Sequence, residues 1–293
     1  MQTIFRFSLP LSMLLAFAFV SLGQSHSTYP YYDASWSKPY EPFRIAGNLY
    51  YVGTYDLGCY LITTPKGHVL INSGLKDSPA QIRKNVETLG FKFKDIKILL
   101  TTQGPYDHVA GLAAIKKITG AKMMVHEGDA QVLTDGGRSD FIFGENEGAL
   151  FVPIKIDRVL HDGDTIQIGG TTLLVLHHPG HTKGSTSYLV DVTDEKRSWK
   201  VLIVNMPSIL TETKVTGMPA YPNVGKDYQH TFESLKKLQF DLWVASHAGQ
   251  FGMHAKHKPG DPYGPEVFAD RKRYDDLVNR LEQEYDKRLK AGQ

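Results

Sequence analysis

The chain has 293 residues, 41% of them hydrophobic and 22% charged, which is ordinary for a folded soluble protein and permits either two domains or one larger α/β domain. Its formal net charge is +2, and the basic residues are dispersed, with Lys116-Lys117 and Lys236-Lys237 on helix-like segments, so nothing makes a case for a nucleic-acid surface. Cys59 is the only cysteine, which rules out an intramolecular disulfide, and its strand-like apolar context reads as a buried structural thiol.

In chain order, Arg6 precedes an almost wholly apolar run at residues 9–22, and small residues Ser21 and Gly23 follow. This predicts a signal peptide over residues 1–23, cleaved near Gly23 or Gln24. The run is short for a spanning helix of about 20 residues. The mature protein, residues 24–293, is expected to be an exported, soluble single domain in the periplasm, without stable membrane association. Residues 25–42, rich in Tyr, Ser and Pro, predict an extended arm over the domain surface.

Strands are predicted at 49–52, 60–62 and 69–71, the last entering Asn72-Ser73-Gly74, and then at 96–100 and 122–125. Helical spacing marks 79–89 and 109–118, and 128–151 reads as a helix followed by a loop. Strands resume at 165–168, 172–176, 187–190 and 201–204, and a helix at 227–238 leads into a strand at 242–245. The charged stretch 265–290 is helix-compatible, with Phe268, Leu277, Leu281 and Tyr285 as its inner face. Two groups of strands with helices between and after them predict a layered α/β domain. Pattern alone does not choose among such folds.

The chemistry gathers in Thr101-Thr102-Gln103-Gly104-Pro105-Tyr106-Asp107-His108, a turn between a strand-like and a helix-like segment. Pro179-Gly180-His181-Thr182 and Ser246-His247-Ala248-Gly249 each place a histidine just past an apolar run. Three strand ends, each with a potential ligand, predict a convergent metal site. Asp107, His108 and His247 supply one carboxylate and two imidazoles, which suits a catalytic zinc with an open fourth position and equally suits non-haem iron. The bland reading is a pair of buried, hydrogen-bonded histidines.

The order of these segments resembles the metallo-β-lactamase superfamily, whose first signature is His-x-His-x-Asp-His. Within it the chain is similar to the third subclass, and most of all to the GOB type. The likeness runs through residues 41–53, 96–108, 177–185, Asn205-Met206-Pro207-Ser208 and Ala245-Ser246-His247. It implies an αββα sandwich, two mixed sheets flanked by helices, with ligands on loops along one edge. Gln103 stands where the first signature histidine would, as in that type, and Pro105 replaces the second, a departure even from that pattern.

By this resemblance zinc is the cofactor and a small β-lactam the substrate, with the protein a monomer. Asp107, His108 and His247 would hold the second zinc; the first would fall to Gln103, Pro105 and His181. Proline has no side-chain donor and Gln103 offers only a neutral amide oxygen, so this position is expected empty or weak, leaving His181 to bridge to the remaining metal or hold the attacking water. Zinc would lower the pKa of a bound water towards about 7, Asp107 would orient it, and Gln103 would substitute as an oxyanion donor. The resemblance also implies that Ser208 contacts the substrate carboxylate and Met206 lines the space beside the metal.

Tyr106 and the loop at 53–57 are expected to wall the pocket. His177 and His178 are neighbours on a strand, so at most one can approach the site, and both are expected to be structural. His254 and His257 are expected at the surface or behind the ligands. Two other readings keep the same residues: a hydrolase of another ester or lactone, and a non-catalytic or weakly active metal-binding homologue, which Pro105 favours.

Overall fold

The computed structural model describes residues 29–293; the expected signal peptide lies outside the described residues. Among the described residues, twelve strands form two sheets. The first holds, in spatial order, β1 (Phe43–Ala46), β2 (Leu49–Tyr51), β3 (Tyr60–Ile62), β4 (His68–Ile71), β5 (Ile96–Leu100), β6 (Lys122–His126) and β7 (Arg158–Leu160). It is antiparallel from β1 to β4 and parallel from β4 to β7. The second sheet runs β12 (Leu242–Ala245), β11 (Ser198–Val204), β10 (Thr186–Thr193), β9 (Thr171–His177) and β8 (Thr165–Ile168), with β11 and β12 parallel.

Side-chain alternation explains the layering. Tyr60 and Ile62 on β3, with Val69 and Ile71 on β4, face the second sheet and join its Val175, Tyr188 and Val190 in one core. Leu61 and Leu70 point the other way, onto helices α1 (Ser78–Thr88), α3 (Leu112–Thr119) and α4 (Glu127–Thr134). Both faces of these strands are buried, so they read as unbroken apolar runs. Two further helices, α5 (Val224–Leu235) and α8 (Arg271–Lys290), cover the outer face of the second sheet through Tyr228, Phe232, Tyr274 and Leu281. Two mixed sheets between helical layers give the expected αββα sandwich.

Helix α8 starts where Asp270 accepts a hydrogen bond from the Arg273 amide at 3.1 Å. Its predicted inner residues Phe268, Leu277, Leu281 and Tyr285 are all buried, and Tyr274 and Val278 join them. Phe268 itself belongs to a preceding 3₁₀ turn, Pro265–Phe268. The expected helix at 109–118 is divided: α2 (Tyr106–Val109) ends before Gly111, and α3 follows. A Cβ on Gly111 would lie 2.8 Å from the Pro79 ring and the Ser73 carbonyl, so glycine lets this junction press against α1. Strands β1 and β7 have no counterpart among the predicted strands; each is short and only partly apolar. The short helices α6 (Ala248–Phe251) and α7 (Met253–Lys256) follow β12. No described helix is long and apolar enough to cross a membrane.

Candidate metal centre

Strand β5 delivers the chain to the turn that carries Gln103, Pro105, Asp107 and His108, the last two on α2. Beneath this turn sits Asn72, fully buried and the one described non-glycine residue with positive φ, +64°. Its Oδ1 accepts from the Thr102 amide at 2.9 Å and its Nδ2 donates to the Gly58 carbonyl at 3.0 Å. Left-handed backbone held this way is a strain that surrounding bonds must sustain. Next door, the Ser73 amide and hydroxyl both donate to the His108 carbonyl, at 2.8 and 3.1 Å. The ligand turn is therefore pinned from below.

His247 arrives from the other sheet, at the end of β12 and the start of α6. Its Nε2 lies 3.5 Å from Asp107 Oδ2, and His108 Nε2 lies 3.0 Å from the same oxygen. One potential ligand atom from each of Asp107, His108 and His247 falls within 4.8 Å of the others. His108 is completely buried, yet neither ring nitrogen has an aligned hydrogen-bond partner; its approach to Asp107 is in ion-pair range without hydrogen-bond direction. Buried polar atoms are almost always paired, and a shared cation would satisfy both the imidazole and the carboxylate. The three residues fit a metal.

Electrostatics agree with a preorganised cation site. Burial pushes the Asp107 carboxyl up, but the His108 and His247 imidazoles overcome this and hold it well below the usual carboxylate range. Burial alone would lower His247, whereas hydrogen bonds to Asp107 and Asp56 raise it to about 9. Asp56 Oδ2 lies 2.8 Å from His247 Nδ1, and Asp56 Oδ1 accepts the Gly249 amide at 3.0 Å. A carboxylate behind a ligating imidazole fixes its tautomer and orientation. The sequence places Asp56 only in a wall-forming loop; nothing in its spacing announces a partner 191 residues away.

Gln103, Pro105, Tyr106, His181, Met206 and Ser208 line the same cleft, a cavity of about 250 Å³, whereas the loop at 53–57, expected as a wall, does not line it and instead reaches His247 from behind through Asp56. His181 stands outside the three-residue cluster. Its Nδ1 lies 2.7 Å from the Ser208 carbonyl, which makes Nδ1 the donor and leaves Nε2 as the ring's acceptor; burial lowers its pKa. Gln103 is buried with its Oε1 unpartnered, and Pro105 presents only its ring. Met206 and Ser208 are both at the cleft, as is Tyr106. The Tyr106 hydroxyl, however, donates to the Tyr31 carbonyl at 2.6 Å and accepts the Tyr31 amide at 3.1 Å. Tyr106 thus meets the cleft with its ring while its hydroxyl anchors the N-terminal arm.

That arm contributes walls the sequence did not identify. Tyr31 spans from Tyr106 to Glu212, with its hydroxyl 2.5 Å from the Glu212 carboxylate, and Trp36 packs 5.7 Å from the His247 ring. Phe143 closes the side, edge-on to Tyr31 and Tyr106. The excess of aromatics in the arm was the available signal.

His177, His178, His254 and His257 serve packing. His178 is buried between the Ser187 and Ser234 hydroxyls, and His177 stacks on His126. His254 stacks on Tyr55, and His257 is buried against Phe43. Cys59 is fully buried, and burial raises its thiol pKa far above neutrality.

Comparison with known proteins places this geometry. Residues 59–193 match the family described as the metallo-beta-lactamase superfamily. A β-lactamase from Chitinophaga pinensis is 58% identical over 89% of this chain and 98% of its own, with a TM-score of 0.87. The class B3 di-zinc metallo-β-lactamase LRA-12 from an Alaskan soil metagenome is 58% identical, covering 89% and 99%, at a TM-score of 0.86. GOB-18 from Elizabethkingia meningoseptica is 50% identical, covering 89% and 96%, at 0.87. Among curated relatives, an uncharacterised Mycobacterium tuberculosis protein is 34% identical over 95 residues, a match spanning 31% of this chain and 42% of that protein. With near-complete coverage at such identity, the chain belongs to the metallo-β-lactamase superfamily.

Proposed function

We propose that this chain is an exported zinc-dependent hydrolase that opens the ring of β-lactam antibiotics with one tightly held metal, acting as a periplasmic monomer. The observation that carries the reading is the buried Asp107–His108–His247 cluster, with His108 unpartnered on both nitrogens, in a chain more than half identical to solved β-lactamases. Zinc held by these three residues would supply Lewis acidity and would lower the pKa of a water.

The chain's own residues do the rest. Asp107 would help to hold the metal and would orient the attacking water. Asp56 accepts from Nδ1 of His247 and so directs Nε2 towards Asp107 and the metal position. His181 offers Nε2 as a proton acceptor or water anchor, because Nδ1 is committed to the Ser208 carbonyl. Gln103, Met206 and Ser208 line the cleft, where the Gln103 amide would donate to the oxygen of the opening lactam and Ser208 would contact the substrate carboxylate. Tyr31, Trp36 and Phe143 shield the reacting bond from bulk water.

Pro105 is the reason for proposing a single metal. Its ring occupies the position of a ligand and gives no donor pair, so Gln103 and His181 are left as an incomplete set. The deciding experiment follows hydrolysis of a chromogenic cephalosporin with and without chelator, on protein whose zinc content has been measured. Chelator-sensitive turnover at about one zinc per chain supports the proposal. Two tightly held zincs would overturn the single-metal part, and zinc-loaded protein without turnover would overturn the activity.

A further inference from the structure

Asp129, in the first turn of α4, is a carboxylate at 1% exposure with no role in the chemistry above. Its Oδ2 accepts the Thr182 hydroxyl at 2.7 Å and its Oδ1 accepts the Gly184 amide at 2.9 Å, so it grips the loop that carries His181 from both sides. On its other flank is the Gln103–His108 turn: a Cβ on Gly104 would sit 3.3 Å from Asp129 Oδ2, and burial raises the Asp129 carboxyl to about 6 against the Thr182, Gly184 and Gly104 donors that favour its charged form.

Three glycines make room for this arrangement. A Cβ on Gly184 would lie 2.7 Å from the Asp129 side chain, and one on Gly128 would lie 2.3 Å from the Lys183 carbonyl. Any larger residue at these places would push the helix, the loop and the turn apart. The His181 loop touches the turn again where the Thr186 amide donates to the Thr102 carbonyl at 2.8 Å. Two loops from different sheets thus meet over one buried acid. Burying a carboxylate is costly, and a neutral amide or apolar residue would fill the same space at less cost.

We infer that Asp129 is a positioning residue that fixes the His181 loop against the Gln103–His108 turn and so sets the geometry of the metal centre. The inference rests on the metal-centre reading proposed above. It assigns Asp129 no contact with substrate or metal. Removing the carboxylate leaves the turn and the loop free to shift relative to each other, by an amount small for the fold and large for a ligand set.

The test compares the full mature chain with its Asp129→Asn and Thr182→Val variants. Zinc affinity is measured by competition with a chromophoric chelator, alongside melting temperature and kcat and KM for a chromogenic cephalosporin. The expected result is zinc affinity weaker by about 10-fold or more in Asp129→Asn, a smaller loss in the same direction in Thr182→Val, and a fall in kcat with little change in KM. A lowered melting temperature with zinc affinity within about two-fold of the parent would overturn the inference, leaving Asp129 a stabiliser of the fold only. If Asp129→Asn fails to fold, Thr182→Val, which removes one donor and keeps the acid, decides alone. A parent chain that binds zinc yet opens no lactam would sink the activity, and the zinc comparison would still judge Asp129.

Discussion

Asp56 and Asp107 hold the His247 imidazole from opposite edges, Asp56 at 2.8 Å from Nδ1 and Asp107 at 3.5 Å from Nε2. One carboxylate belongs to the loop before β3 and the other to the turn after β5, so His247 is oriented by the first sheet although it comes from the second. Replacing Asp56 by Asn keeps the shape and removes the charge. Zinc affinity of Asp56→Asn is expected to fall about 10- to 100-fold, read by chelator competition. An unchanged affinity would show that the Gly249 and Ala248 contacts orient the ring without the charge.

Asp107 is the shared neighbour of both imidazoles. Its replacement by Ala is expected to remove zinc binding and lactam turnover together, measured by metal analysis after zinc equilibration and by the cephalosporin assay. Retained stoichiometric zinc would place the ion elsewhere.

Pro105→His tests the reading of the first position. The variant is expected to rise from about one zinc per chain to about two, because the added imidazole would complete a set with Gln103 and His181. The proline also sets extended backbone at the start of α2, φ −60° and ψ 150°, a geometry histidine can adopt. No gain in metal content would mean that the turn does not aim this position at the cleft.

His178 makes stability depend on pH. It is buried between two hydroxyls, and burial pushes its pKa down to about 3, against about 6.5 in an unfolded chain. Below pH 6.5 the unfolded chain takes up a proton that the folded chain refuses until about pH 3. Its stabilising contribution is complete above 6.5 and is lost as pH falls through that window. Between pH 7 and 4.5 the loss from this group is about 2–3 kcal/mol. His126, lowered to about 4 by burial and by His177, acts in the same sense. Urea midpoints measured across this range should fall less steeply for His178→Gln than for the parent; equal slopes would assign the acid lability elsewhere.

Much of the architecture was readable because β-strands buried on both faces leave unbroken apolar runs, as in residues 60–62 and 69–71, and nearly so in 96–100, where only Lys97 is exposed. Edge strands β1 and β7 escaped because they are short and each carries an arginine, with β7 also largely exposed. The division of the 109–118 helix depended on Gly111 meeting Pro79, a contact distant in sequence that no local pattern encodes. The metal cluster was legible from residue types at strand ends. Its supports were not: Asp56, Asp129 and Asn72 look like loop or helix-start residues, and only the folded chain shows what they hold. Tyr106 was expected at the pocket, but that its hydroxyl would tether the arm needed Tyr31 in place.

The ligand residues come from both halves of the sandwich, Asp107 and His108 from the strand order of one sheet and His247 from the other. A cation gripped there is also a rivet between them. Its binding free energy adds to the cohesion of the sandwich, so demetallated protein should breathe along that seam, with faster amide hydrogen exchange at the ends of β5 and β12 than in the distant core.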